Sequence, residues 1–180
     1  MNALIIIAFI LAVFVVIITL QPSEFTVQRS ALIPASPEVV FDQVNDLHKW
    51  EAWSPWAKID PTAKTTYEGP PAGVGAKFSW AGNAKIGAGD MTVTESQPHE
   101  LVRFRLEFYK PFRGTNSAEF TFKREESQTR VTWSMSGKNN FVSKAIGLFM
   151  SCDKMIGGQF EKGLADMNKV VTTTIKPSVA

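Results

Sequence analysis

Five segments between 76 and 136 alternate apolar and polar residues with a period of two, and this restricts the fold more than any other feature. Ala76, Phe78 and Trp80 alternate with Lys77 and Ser79, and Met91 and Val93 with Thr92 and Thr94. Val102, Phe104, Leu106 and Phe108 alternate with Arg103, Arg105 and Glu107; Ala118, Phe120 and Phe122 with Glu119, Thr121 and Lys123; Val131, Trp133 and Met135 with Thr132, Ser134 and Ser136. Successive side chains of a strand point to opposite faces, so this pattern predicts strands with one apolar face. Gln97-Pro98-His99 and Glu126-Ser127-Gln128 are compact turns, which makes neighbouring strands antiparallel. The expectation is a curved antiparallel sheet with one covered face.

The cover has to come from the C-terminal segment. Phe141, Ala145, Leu148, Cys152, Ile156, Phe160, Leu164, Met167 and Val171 recur at spacings of three and four, the period of an amphipathic helix. Asn140 suits the N-cap, and the periodicity predicts one helix of nearly thirty residues. Gly157-Gly158 interrupts it and marks a kink or a place where something packs closely.

Upstream, Phe25, Val27, Arg29, Ala31 and Ile33 share one parity and read as a further strand. Arg29 then points inward, either at an edge or bulge that lets it reach water or as a buried cation that needs a partner or an anionic ligand. Ser36 and Pro37 are suited to start a helix, with Val39, Val40, Phe41 and Val44 on its face. WEAWSPW follows at 50–56 and reads as a short helical turn ending in a bend, since Ser54 precedes Pro55.

Ala3–Leu20 carries no charged residue. At 1.5 Å per residue it makes about 27 Å of helix, close to the thickness of a bilayer's hydrocarbon core. A cleaved signal peptide and a buried core helix are the alternatives. No basic residue precedes Ala3 and no small-residue cleavage site follows Thr19, so the segment reads as a retained transmembrane anchor over 1–22. Cations near its ends are sparse, and the expectation for a single N-terminal anchor is a domain outside the cytoplasm.

The formal net charge is +2 with no basic run, which gives no nucleic-acid footprint. Cys152 is the only cysteine, so there is no intrachain disulfide and no thiolate metal site. His48 and His99 lack metal-ligand spacing, no cofactor motif occurs, and no GxSxG, HExxH or phosphate-binding loop is present. Acid–base chemistry would need ionisable groups on the apolar face, where parity offers Arg29, with Asp90 or Glu95 added if a bulge shifts register.

The order of strand, short helix, helical turn, antiparallel strands and long helix resembles the START-like superfamily, also called SRPBCC or helix-grip proteins. VQRSALIPASPEVVFDQVND at 27–46, WEAWSPWAKIDP at 50–61, YEGPPAGVGAKFSW at 67–80 and DKMIGGQFEKGL at 153–164 carry the likeness. They are most similar to the bacterial branch labelled polyketide cyclase/dehydrase and lipid transport. The resemblance implies an α+β fold over 23–172, with a sheet of six or seven strands wrapped around the long helix, and a tail over 173–180. It implies a cavity for a lipid or other hydrophobic molecule and leaves open whether any reaction is catalysed there, because fold does not fix function. Candidates for the cavity wall are Trp53, Trp56, Phe78, Trp80, Met91, Phe104, Phe120, Trp133 and Met135, with Phe149, Met155, Ile156 and Phe160 from the helix. A cyclase or dehydratase, and a ligand-free partner of another membrane protein, are the competing readings.

Overall fold

The computed structural model describes residues 2–149 and 151–175. Helix α1 (Asn2–Thr19) leads into β1 (Glu24–Ile33), α2 (Pro37–Asn45), a 3-10 turn at Leu47–Lys49 and α3 (Trp50–Trp53). Then come β2 (Lys64–Glu68), β3 (Lys77–Ala81), β4 (Ala88–Gln97), β5 (Leu101–Lys110), β6 (Gly114–Glu125), β7 (Gln128–Lys138), α4 (Phe141–Gly147) and α5 (Cys152–Ile175). One seven-stranded sheet has the order β1-β7-β6-β5-β4-β3-β2, and every pair is antiparallel. Strand β2 was not expected: its residues are all exposed, so it has no apolar parity to betray it.

The apolar face of the sheet closes on α5. Val27, Val93, Val102, Phe104, Phe120 and Val131 from strands pack with Phe160, Leu164, Met167 and Val171 from the helix. Helix α2 adds Val40, Phe41 and Val44 at one end of this core. Pro37 opens α2 as expected. Ser36 sits at its N-cap and contributes its carbonyl, which accepts from Val39 N and Val40 N, rather than its hydroxyl.

The single C-terminal helix expected from periodicity is two helices. Asn140 does cap the first, its Oδ1 accepting from Ser143 N at 2.8 Å. Ser151 starts the second, its carbonyl accepting from Met155 N and its hydroxyl from Lys154 N. The break frees α4 from the sheet and lets it pack on α1. Helix α5 runs on to Ile175, past the expected domain end at 172, and 176–180 lie outside the described residues.

Helix α1 forms where the apolar run predicts it and is exposed along most of its length, with Ile18 buried at its end. Among the described residues no helix is long and apolar enough to cross a membrane.

Candidate ligand cavity between sheet and helix

The sheet does not meet α5 tightly along its whole length. A cavity of about 230 Å³ lies between them, walled by strand residues Phe78, Trp80, Met91, Leu106, Phe108, Ala118, Trp133 and Met135. Ile156 and Phe160 close it from α5, and Trp50, Ser54 and Trp56 from the bend after α2. Among the described residues Ser54 is the one hydroxyl-bearing or charged side chain in this wall.

Aromatic stacking fixes the wall. Trp133 stacks on Phe160 with centroids 4.1 Å apart and planes 11° from parallel, and on Phe120 at 4.6 Å. Trp56 stands edge-on to Trp133 at 5.5 Å and to Phe160 at 6.2 Å. Such pairs are worth about 0.5–1.5 kcal/mol beyond their buried area. The indole N–H groups of Trp50 and Trp53 donate to the carbonyls of Val44 and Gln43, and that of Trp80 to Ile86, so no buried donor is left unpaired among the three. Gly163 lets α5 come this close. A Cβ there would sit 2.8 Å from the Trp133 ring and 3.1 Å from Pro55.

A second compartment of about 320 Å³ adjoins the first and shares Trp50, Ser54, Trp56, Phe78 and Trp80 with it. Its other walls include Glu51, Asp60, Thr65 and Tyr67. Asp60 is committed: it accepts from the hydroxyl and N–H of Thr62 and from Asn83 N. These bonds, the Thr62 hydroxyl first, hold its carboxyl below the usual 3.8, so it stays ionised at neutral pH. Burial first, then the negative charges of Glu51 and Asp46, push the Tyr67 phenol above 10.0.

Register places the cavity at one end of the sheet. Phe25 pairs with Gly137, Gly137 with Asn116, Asn116 with Leu106, Leu106 with Met91, and Met91 with Phe78. Three wall residues thus share a row with Phe25, the second residue of β1, which a short connection joins to α1. Phe108 lies further still in the same direction, opposite Gly114. The core around α2 fills the opposite end.

Of the thirteen candidates named from sequence, Trp56, Phe78, Trp80, Met91, Trp133, Met135, Ile156 and Phe160 line this cavity. Trp53, Phe104 and Phe120 do not; all three are completely buried in the core. Phe149 and Met155 do not either: both are exposed, Phe149 in the turn after α4 and Met155 on α5 about 100° round the helix from Ile156. Trp50, Ser54, Leu106, Phe108 and Ala118 were missed. Leu106 and Phe108 share parity with Phe104, and Ala118 with Phe120, so parity could have named them. Depth along the strand, which separates core from cavity wall, needs the register.

The three ionisable candidates lie elsewhere. Arg29 faces α5 from edge strand β1 and is held by Asp153 and Glu161; its partners are carboxylates of the chain itself. Asp90 is on the outer face, where it accepts from Tyr109 and lies 3.4 Å from Lys77. A register shift does lie between Val93 and Glu95, but the Glu95 carboxylate meets Arg103 and Gln97 rather than the cavity. Among the described residues no group of three or more His, Cys, Asp or Glu could hold a metal ion.

Solved structures with the same architecture include protein SA2116 from Staphylococcus aureus (TM-score 0.62, 14% identity, covering 86% of this chain and 97% of that one). Protein MLL2253 from Mesorhizobium loti is similar (TM-score 0.60, 15% identity, 85% and 100%). So is the Aha1 dimer from Colwellia psychrerythraea (TM-score 0.59, 17% identity, 82% and 96%). At these identities the likeness is one of fold. No curated protein matches the sequence. Residues 24–172 match the family described as polyketide cyclase / dehydrase and lipid transport, the stretch that builds the sheet, the bend and nearly all of α5, and the chain belongs to that family.

Proposed function

We propose that the chain is a membrane-tethered binding module for an amphipathic, largely hydrophobic small molecule. The observation that carries this is the apolar cavity, set at the end of the sheet nearest α1. Alone, at about 230 Å³, it falls below the ~300–1,000 Å³ usual for small-molecule sites. Together with the adjoining compartment it falls inside that range. The ligand therefore has an apolar body against Met91, Leu106 and Phe160 and a polar end near Ser54, Glu51 and Tyr67.

Helix α1 supports the tether. Leu4, Ile5, Phe9, Ile10 and Leu11 are all more than half exposed, and burying each such side chain is worth about 1.5–3 kcal/mol. Counted from Asn2, α1 is 18 residues, about 27 Å of helix, which matches the hydrocarbon core to within a few ångströms; local thinning makes up such a mismatch at modest cost. Beside the membrane, the cavity can exchange a poorly soluble ligand with the bilayer without carrying it through water. Native mass spectrometry of the full chain released from detergent tests the reading. It expects one bound amphipathic molecule per chain, and a chain that stays empty after incubation with mixed lipid extract contradicts it.

A further inference from the structure

Helix α4 has no buried residue. Val142 and Ile146 stand at i and i+4 on one side of α4, Phe149 follows in the turn after the helix, and the three are 42%, 41% and 78% exposed. Phe141 beside them is also exposed. An apolar stripe of this kind in water needs a cover.

The stripe is continuous with α1. Phe149 and Phe14 have ring centroids 6.5 Å apart. Lys144, on the other side of α4, donates to the Thr19 carbonyl at 3.3 Å and the Ser23 hydroxyl at 3.2 Å. Asn139 N donates to the Ser23 carbonyl and Asn139 Nδ2 to that of Pro22. These bonds pin α4 against the last turn of α1, where a tethered chain leaves the membrane. Lys144 is then level with the headgroups, as suits the cation of an interfacial helix.

We propose that α4 is an interfacial helix, its Val142 and Ile146 seated with Phe149 of the following turn in the same bilayer that holds α1. The occupant is the lipid surface. This rests on the reading of α1 as a bilayer helix and adds a second contact, which fixes the orientation of the domain as well as its distance. Because α4 is followed in the chain by α5, whose Ile156 lines the cavity, the seating turns the cavity end of the grip toward the membrane.

Spin labelling of the full chain tests it. In a Cys152→Ser background, single substitutions Val142→Cys, Ile146→Cys and Phe149→Cys carry a nitroxide, with Val13→Cys reporting on α1 and Lys123→Cys on water. The protein is reconstituted in phosphatidylcholine–phosphatidylglycerol vesicles, and collisions with oxygen, which concentrates in lipid, are compared with those of a water-soluble nickel chelate. The expected result is an oxygen-to-nickel ratio several-fold higher at 142, 146 and 149 than at 123. Lipid-like values at 13 with water-like values at the three α4 sites overturn the inference and leave the tether standing. Water-like values at 13 overturn the tether and the inference with it. Low collision with both reagents at 142, 146 and 149, with dipolar broadening between labels, assigns the stripe to a second copy of the chain and overturns the inference.

Discussion

Arg29 lies across Gly157: a Cβ added to that glycine would come within 2.1 Å of Arg29 Nη2. The guanidinium crosses the helix there to reach Asp153 at 2.9 and 3.0 Å and Glu161 at 2.6 Å. An inward-pointing cation on an edge strand and a glycine in the middle of a helix are each odd alone. Together they form one device that docks β1 on α5.

The device separates two neighbouring glycines. Gly158 has nothing within 4 Å of an added Cβ, so Gly158→Ala gains helix propensity and stabilises by about 1 kcal/mol. Gly157→Ala gains the same propensity and displaces the guanidinium, so it is neutral or destabilising. In an Arg29→Ala background Gly157→Ala becomes stabilising by about 1 kcal/mol. Denaturant melts of the four combinations read this coupling directly, and additivity would show that the arginine does not need the glycine.

Acid weakens the same contact. Hydrogen bonding from Arg29 holds the Asp153 carboxyl below its ordinary 3.8, and Lys169 and then Lys58 do so for Asp166. A carboxylate with a depressed folded-state pKa stabilises the fold at pH above its unfolded value, and this contribution is lost as pH falls through the folded value. The melting temperature therefore holds near neutrality and drops below about pH 4, the unfolded-state range. Asp166→Asn lowers the neutral melting temperature and flattens the acid slope, whereas an unchanged slope would remove Asp166 from the account.

Much of this was legible in the sequence, and the limits have identifiable causes. Parity gave the apolar face of the sheet, and Asn140, Pro37 and the order of elements fell where expected. The division of Phe104 from Leu106 did not, because both have the same parity and only the cross-strand register shows that one is core and the other cavity wall. Leu148, Cys152 and Ile156 fit one helical period that carries no sign of a break at Ser151, and Phe149 and Met155 lie beside that period rather than on it. Strand β2 is polar on both sides. Of the tryptophans at 50–56, Trp53 is core rather than the cavity wall expected of it, Trp50 belongs to core and wall alike, and Trp56 faces the cavity.

The tryptophans therefore separate stability from binding. Trp53→Ala removes a completely buried ring and costs about 3–5 kcal/mol. Trp56→Phe keeps an aromatic edge against Trp133 and leaves the fold nearly as stable, with a changed affinity for ligand. Thermal melts paired with ligand titration check the split, and a large loss of stability in Trp56→Phe would make it a core residue instead.

Gly163→Val tests the close approach of α5 to the cavity wall. The added methyl groups press on Trp133 and Pro55, and overpacking of this kind costs about 1–3 kcal/mol. Near-ultraviolet circular dichroism should lose part of its tryptophan signal as the Trp133–Phe160 stack opens. A wild-type spectrum would mean that the helix is free to move away.

The most direct measurement is to plug the cavity. Ala118 is buried in its wall, and Ala118→Phe fills the space beside Met135 and Leu106 while leaving α1 and α4 untouched. Native mass spectrometry of the full wild-type chain, incubated with mixed lipid extract, should show one bound amphipathic molecule, and the folded Ala118→Phe chain should show at least ten-fold less, a loss of about 1.4 kcal/mol or more in binding. Equal occupancy of the two chains, or an empty wild type, would contradict the proposal that the cavity between sheet and helix is the binding site.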